Sequence, residues 1–309
     1  MTTGITTITL DNQQTWTQVA DLNPVTIGAL TQDFKLPAKF IGYMNDKRER
    51  ARLEYDEITG FWLLIFREIY PLSGKQYETL PMSFVFNQKQ LITASIKPAH
   101  YADQAIPELT QEIQDHRIDT TFELLCAYIL RMVTAYFDAI DAIDDARTSL
   151  EDISGRPTDK EITQLTNLSK SLIYITTATN NSLIALRQLQ LSSDSRQDVL
   201  VLNAKEKARL GDAIVEVSQA LQMAQIATDI VDRVENAYNN MLNNRLNETM
   251  RFLTIWSIVL MIPPIVSGFY GMNVKLPLAD GPFAWILTII WSLLAIGLLI
   301  WRFYRNSDL

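Results

Sequence analysis

The chain has 309 residues, 48% hydrophobic and 20% charged, with a formal net charge of −8. That balance excludes a nucleic-acid binder, which needs a basic stripe to neutralise phosphates, and leaves cationic partners open. One cysteine, Cys126, and two histidines outside any metal-ligand spacing, His100 and His116, exclude a disulfide framework and a cysteine-based zinc site.

Met1 to Ile5 has neither a basic n-region nor an apolar core, so it is not read as a secretory signal, and the bulk of the chain is expected in the cytosol. Residues 1–118 read as an α+β domain. Arg52–Tyr55 and Phe61–Phe66 flank a Thr59-Gly60 turn, and Ser83–Phe86 faces Leu91–Ala94 across Asn87–Gln90; both are hairpin patterns. Between Pro24 and Phe40, the spacing of Ile27, Leu30, Phe34 and Leu36 predicts one short helix. The glycines are isolated and form no phosphate loop.

Residues 119–204 read as a helical hairpin. Phe122, Leu125, Ile129, Met132, Val133, Tyr136, Ile140 and Ile143 recur at helical steps, with Asp138, Asp141, Asp144, Asp145, Glu151 and Asp152 on the other face as a solvated acidic stripe. Ser154-Gly155-Arg156-Pro157 breaks the pattern, and Thr158–Leu191 restores it.

Residues 205–270 form a stalk that continues into a first membrane span. No Gly or Pro occurs from Asp212 to Ile262, and Leu210, Ile214, Val217, Leu221, Ala224, Thr228 and Val231 make a heptad seam that asks for partner helices, most simply from other copies. Phe252–Tyr270 and Phe283–Trp301 are charge-free stretches of about 19 residues, each long enough to cross a hydrocarbon core of ~30 Å. Aromatic residues stand at their ends: Phe269, Tyr270, Trp285, Trp301, Phe303 and Tyr304. The spans are therefore joined by an external loop, 271–282, and the second, 283–301, is followed by a tail, 302–309. Arg245 and Arg251 precede the first span and Arg302 and Arg305 follow the second, whereas the loop holds only Lys275 and Asp280. Positive-inside counting places both termini in the cytoplasm.

At helical spacing, Asn236, Asn240, Asn243, Asn247, Met250, Thr254, Met261, Pro264 and Gly268 fall on or near one face, with Leu253 beside it. Neutral amides suit the water shell of a hydrated cation, and Met250, Leu253 and Met261 supply apolar constrictions. A solvated stalk followed by ordinary lipid contacts accounts for the same pattern. Pro263-Pro264 frees backbone carbonyls inside the span.

Tyr270-Gly271-Met272-Asn273 closes this first span. In that position, after Asn247-Glu248-Thr249-Met250-Arg251-Phe252-Leu253-Thr254, it resembles the signature of the CorA family of magnesium and divalent cation transporters. Ala135-Tyr136-Phe137 and Ile140–Asp145 resemble the family's acidic helix. The resemblance implies a funnel-shaped homopentamer in the cell (inner) membrane, in contact with lipid. It implies no enzyme activity, no cofactor and no nucleic-acid partner. Gly271, Met272 and Asn273 would form the selectivity ring, with Asn273 meeting the metal through its hydration shell. Asn236, Asn247, Met250, Leu253, Met261 and Pro264 would line the pore. Mg²⁺, with Co²⁺ and Ni²⁺ as further cargo, would pass hydrated, driven by membrane potential. Mg²⁺ is also implied as a regulatory ion. The chain departs from the pattern at Lys275, at Pro264 where a hydroxyl is frequent, and at Gly42-Tyr43, where an acidic pair of the regulatory site is replaced; its stalk partner corresponds to Asp212. A ZntB-type zinc transporter and a non-conducting scaffold or sensor on the same fold are the alternatives.

Overall fold

The structure, a computed structural model, describes residues 4–10, 13–73, 75–96, 101–151, 157–195, 199–272 and 283–305. It divides into two compact units, 1–236 and 237–309.

The first unit is built on one six-stranded sheet. Its strands are β1 (Ile5–Thr9), β2 (Thr15–Val19), β3 (Arg52–Tyr55), β4 (Trp62–Pro71), β5 (Tyr77–Phe86) and β6 (Gln90–Ser95), in the order β1-β2-β6-β5-β4-β3. All neighbours are antiparallel except β2 and β6. The hairpin expected at Thr59-Gly60 pairs Arg52 with Ile65 and Tyr55 with Trp62. Its turn is closed by the Asp56 carboxylate, which accepts from the Thr59 N–H at 2.8 Å and hydroxyl at 2.6 Å, while Gly60 takes φ 71°. In the second hairpin Asn87 Oδ1 accepts from the backbone of Lys89 and Gln90.

Between Pro24 and Phe40 the structure corrects the expectation of one helix. Two form, α1 (Pro24–Gln32) and α2 (Ala38–Met44). Lys35 adopts φ 54° and Pro37 follows, which ends the first helix and starts the second. Leu30, Phe40 and Met44 of the two helices, with Leu36 between them, pack on Leu63, Ile65, Val85 and Ile92 of the sheet.

The sheet's other face meets the helices α3 (Tyr101–Gln114), α4 (Thr121–Glu151) and α5 (Asp159–Ser195). Trp16 and Phe84 stack edge-on against Tyr128, Phe86 against Phe122, and Phe66 against Tyr136. A sheet covered on both sides explains the unbroken apolar run Trp62–Phe66, in which alternate residues serve opposite layers. The helical periodicity read for α4 is met: Phe122, Leu125, Ile129, Met132, Val133, Tyr136, Ile140 and Ile143 are all buried. On its acidic face, Arg147 bonds Asp144 at 2.8 Å and Glu151 at 2.6 Å, while Asp138, Asp141 and Asp145 are exposed.

The longest element is α6 (Ala204–Tyr270), 67 residues that run on through Gly211 at one end and Pro263-Pro264 at the other. Its start is anchored by a reciprocal cap between Asn203 and Glu206, and by Lys205 bonded to Asp119 at 2.7 Å and Glu123 at 2.9 Å. The heptad seam finds its partners differently from the expectation. Leu210, Ala213, Val217, Ala220, Ala224, Ala227, Val231 and Val234 are buried within the single chain, and Ile214 and Thr228 are half-buried. Helix α5 lies alongside, Ile173, Thr176 and Thr177 sharing a cavity wall with Gln225, Thr228 and Asp229. The apolar stripe is thus taken up within the single chain.

The second unit holds the rest of α6 and α7 (Ala284–Arg305). Both are long and apolar enough to cross a membrane. Their apolar surface is open on the single chain: Phe252, Leu260, Leu293 and Leu298 are 62%, 67%, 62% and 68% exposed. Such continuous apolar surface is unstable in water and requires lipid or another protein. Arg302 and Arg305 close α7, the Arg305 guanidinium standing over the Trp301 ring at 5.4 Å.

Candidate functional site

The polar and apolar positions singled out along α6 fall on one helix, and their azimuths follow from its geometry. Met250 and Gly268 share a direction, being separated by about five turns at 3.6 residues per turn. Relative to that axis Asn243 and Met261 lie about 20° away, Asn236, Thr254 and Pro264 about 40°, Asn247 and Leu253 about 60°, and Asn240 about 80°. One broad face therefore contains them all, with Leu253 and Asn240 on opposite margins. The same projection puts Ser257 about 20° from the axis, a position the sequence reading passed over. Its hydroxyl donates to the Leu253 carbonyl at 2.8 Å, as Thr254 donates to Met250 at 2.8 Å. Because each proton is committed to the helix backbone, the oxygen lone pairs are left to face outward as acceptors.

Among the described residues most of this face is uncovered. Asn240, Asn243, Asn247 and Thr254 are exposed, Met250, Leu253 and Met261 are 55%, 59% and 59% exposed, and a Cβ built on Gly268 would meet no heavy atom within 4 Å. Helix α7 reaches only its Pro264 margin, Thr288, Ile289 and Ser292 sharing a cavity of about 530 Å³ with Pro263, Pro264 and Ser267. Pro263 and Pro264 donate no N–H, so the Val259 and Leu260 carbonyls lose their usual helical partners. The Ser267 hydroxyl donates to the Pro264 carbonyl at 3.1 Å. Without charged side chains and with unspent amide and hydroxyl oxygens, such a face can bind the water shell of a cation without stripping it. A carboxylate ring would hold the ion too tightly to release it.

At its outer end α6 stops with Gly271 N–H donating to the Ser267 carbonyl at 2.9 Å and Met272 N–H to that of Phe269 at 3.3 Å. Asn273, and Lys275 with the remainder of the loop to 282, lie outside the described residues, as do His100 and Asp152. Among the described residues no cluster of three or more His, Cys, Asp or Glu is arranged to hold a metal. Asp212 is exposed on α6. At the Gly42-Tyr43 position, the Tyr43 ring faces the Arg52 guanidinium at 4.3 Å and the Lys39 ammonium at 5.7 Å. Both cations are paired, Lys39 with Glu54 and Arg52 with Glu49 at 3.0 Å, so the nearby carboxylates are already engaged and not free for Mg²⁺.

A family model described as CorA-like Mg²⁺ transporter protein matches residues 11–305. The chain belongs to the CorA-like family. It is 24% identical over 271 residues to the cobalt/magnesium transport protein CorA of Methanocaldococcus jannaschii, covering 85% of this chain and 81% of that one. The complete structure of the CorA magnesium transporter from the same organism superposes with a TM-score of 0.77 at 17% identity, covering 96% of this chain and 92% of the other. The ZntB cytoplasmic domain of Vibrio parahaemolyticus superposes with a TM-score of 0.59 at 16% identity, over 75% of this chain and 88% of its own. At these identities the superpositions establish the fold: a soluble α/β part, long helices and a C-terminal apolar pair. Membership of a transporter family makes the chain a membrane protein and not an enzyme.

Proposed function

We propose that this CorA-like chain is a passive channel for hydrated divalent cations, Mg²⁺ first with Co²⁺ and Ni²⁺ as further cargo. Several copies, five by the family resemblance, would turn the polar face of α6 toward a common axis. The observation that carries this reading is the uncovered face itself. It is uncharged, runs from Asn240 to Gly268, and leaves amide and hydroxyl oxygens unspent beside Met250 and Met261. The curated relatives of M. jannaschii and Thermotoga maritima are named as cobalt/magnesium transport proteins, which supports divalent-cation transport here.

In this reading Gly271, Met272 and Asn273 form the outer ring, and Asn273 recognises the ion through its waters. Met250, Leu253 and Met261 form constrictions that close by dewetting. Both termini lie in the cytoplasm, placing Arg302 and Arg305 on the inner side. Two charges moving inward gain about 4.6 kcal/mol per 100 mV, so potential alone drives uptake. The Tyr43–Arg52 stack argues against Mg²⁺ gating through the Gly42-Tyr43 position, so raising internal Mg²⁺ is expected to leave flux unchanged unless Asp212 finds another partner.

The test is Mg²⁺ influx into proteoliposomes at a negative-inside potential, with Asn273→Ala alongside and Zn²⁺ as competing cargo. Potential-driven Mg²⁺ flux lost in Asn273→Ala is the expected result. Zn²⁺ flux that follows a pH gradient, without Mg²⁺ flux, overturns it in favour of zinc transport, a reading that the ZntB-like cytoplasmic fold supports. Silence for both ions from folded, oligomeric protein points to a scaffold.

A further inference from the structure

We propose that a basic groove on the first unit, between the turn at 45–50 and the middle of α5, binds a nucleoside polyphosphate. The groove has a volume of about 720 Å³, within the range of small-molecule sites. Its two walls differ in kind. One carries Lys47, Arg48, Arg50 and Arg67; the other, from α5, carries Ile173, Tyr174, Thr177, Ala178 and Asn181 and no charge.

The cationic wall is held in place from below. Arg67 reaches the Glu49 carbonyl at 2.5 Å and the Thr79 hydroxyl at 2.8 Å, and also bonds the Thr79 carbonyl, so its guanidinium is spent on fixing the turn. Asp46 Oδ1 accepts from the Arg48 N–H at 2.9 Å, and the Glu49 carboxylate pairs with Arg52 at 3.0 Å. Lys47, Arg48 and Arg50 are left exposed on a braced backbone, and none forms an ion pair with a described residue. Glu78 is the carboxylate among the lining residues, and it is exposed at the rim. In a chain of net charge −8, three unpaired cations on four consecutive positions repel one another until an anion joins them. A ligand with two or more phosphates offers acceptors to more than one of them, and arginine's planar fork suits phosphate oxygens.

The opposite wall selects against a bare phosphate. Tyr174 and Ile173 are 47% and 55% exposed, an aromatic and an aliphatic surface turned to the groove beside the Thr177 hydroxyl and the Asn181 amide. A ligand that is polyanionic at one end and flat, apolar and hydrogen-bonding at the other uses both walls. A nucleotide base stacks on such a ring. No phosphate loop is required, because side chains on a fixed turn supply the donors.

The test is isothermal titration of the detergent-solubilised full chain at constant Mg²⁺ with ATP, inorganic tripolyphosphate and adenosine. It reads binding and not flux, so its outcome is independent of the channel reading. The expected result is saturable ATP binding, one per chain, with tripolyphosphate and adenosine each weaker by about tenfold or more. The double variant Lys47→Ala/Arg50→Ala weakens ATP by about tenfold or more, as loss of charge-assisted hydrogen bonds requires. Tyr174→Ala weakens ATP and leaves tripolyphosphate unchanged. Absent ATP binding, equal affinity for tripolyphosphate, or unaltered binding by both variants overturns the proposal. So does an oligomer that dissociates in Lys47→Ala/Arg50→Ala while the parent takes no ATP, since the turn is then a contact between copies.

Discussion

Tyr136→Phe isolates one hydrogen bond whose origin is visible in the strand register. β3 begins at Arg52, opposite Ile65 of β4. The Arg67 carbonyl, next along that edge of β4, has passed the last strand partner, and the Tyr136 hydroxyl donates to it at 2.6 Å from α4. Tyr136 is fully buried, and phenylalanine keeps its edge-on contact with Phe66 at 6.4 Å. The variant therefore removes no packing and leaves one carbonyl without a donor, a loss of about 1–3 kcal/mol. For a chain of this size that is a fall of roughly 2–8 °C in thermal midpoint. Burial pushes the Tyr136 phenol well above its ordinary range, so the donor persists and the difference between the two proteins stays constant from about pH 6 to 9. Thermal unfolding of the solubilised full chain, followed by circular dichroism, measures it. Tyr174→Phe, whose ring is exposed, is the control and keeps the parent midpoint. A Tyr136→Phe midpoint equal to the parent's, or a Tyr174→Phe midpoint shifted as far, refutes the reasoning.

Gly268→Val places a side chain where nothing stands within 4 Å, so the thermal midpoint is kept while cation flux drops to near background; full flux would remove the Gly268 face from the pathway. Cys126 is fully buried and desolvation pushes its thiol far up, so a maleimide leaves the native chain unlabelled and reacts once guanidinium unfolds it. The clasp at the start of α6 titrates at both ends. Its bond to Lys205 holds the Asp119 carboxyl below the usual carboxylate range, so that contribution is present above the unfolded value of about 3.9 and is lost as pH falls through the lower folded one. The bond to Asp119 raises Lys205, whose contribution is complete below about pH 10.4 and lost as pH rises through the higher folded value. Lys205→Met is accordingly expected to flatten the pH dependence of the midpoint at both extremes, most clearly at low salt because both groups are exposed; an unchanged pH profile contradicts this.

Local pattern determined much of this molecule. The hairpins at Thr59-Gly60 and Asn87–Gln90 are dictated by turn chemistry within a few residues. The membrane helices follow from length and the absence of charge, and α4 follows from a stripe that repeats at helical steps. The face of α6 was legible for a similar reason, since azimuth along one helix is fixed by counting. Ser257 was missed because its hydroxyl reads as an ordinary polar interruption until the axis through Met250 and Gly268 is drawn. Long-range contacts decided the rest. Thr15–Val19 becomes a strand by pairing in parallel with β6, more than 70 residues away in sequence, and no short window carries that signal. The Lys35 and Pro37 break divides α1 from α2 because both helices must lay their apolar sides on one sheet face. The heptad seam of α6 was visible as a demand for partners, but sequence periodicity does not say whose helices answer it. Tertiary packing gave that role to the chain's own helices, and in the same way brought Lys47, Arg48 and Arg50 opposite Tyr174, over 120 residues apart. Periodicity is a property of one segment, whereas a cavity wall or a buried seam belongs to two segments that only folding brings together.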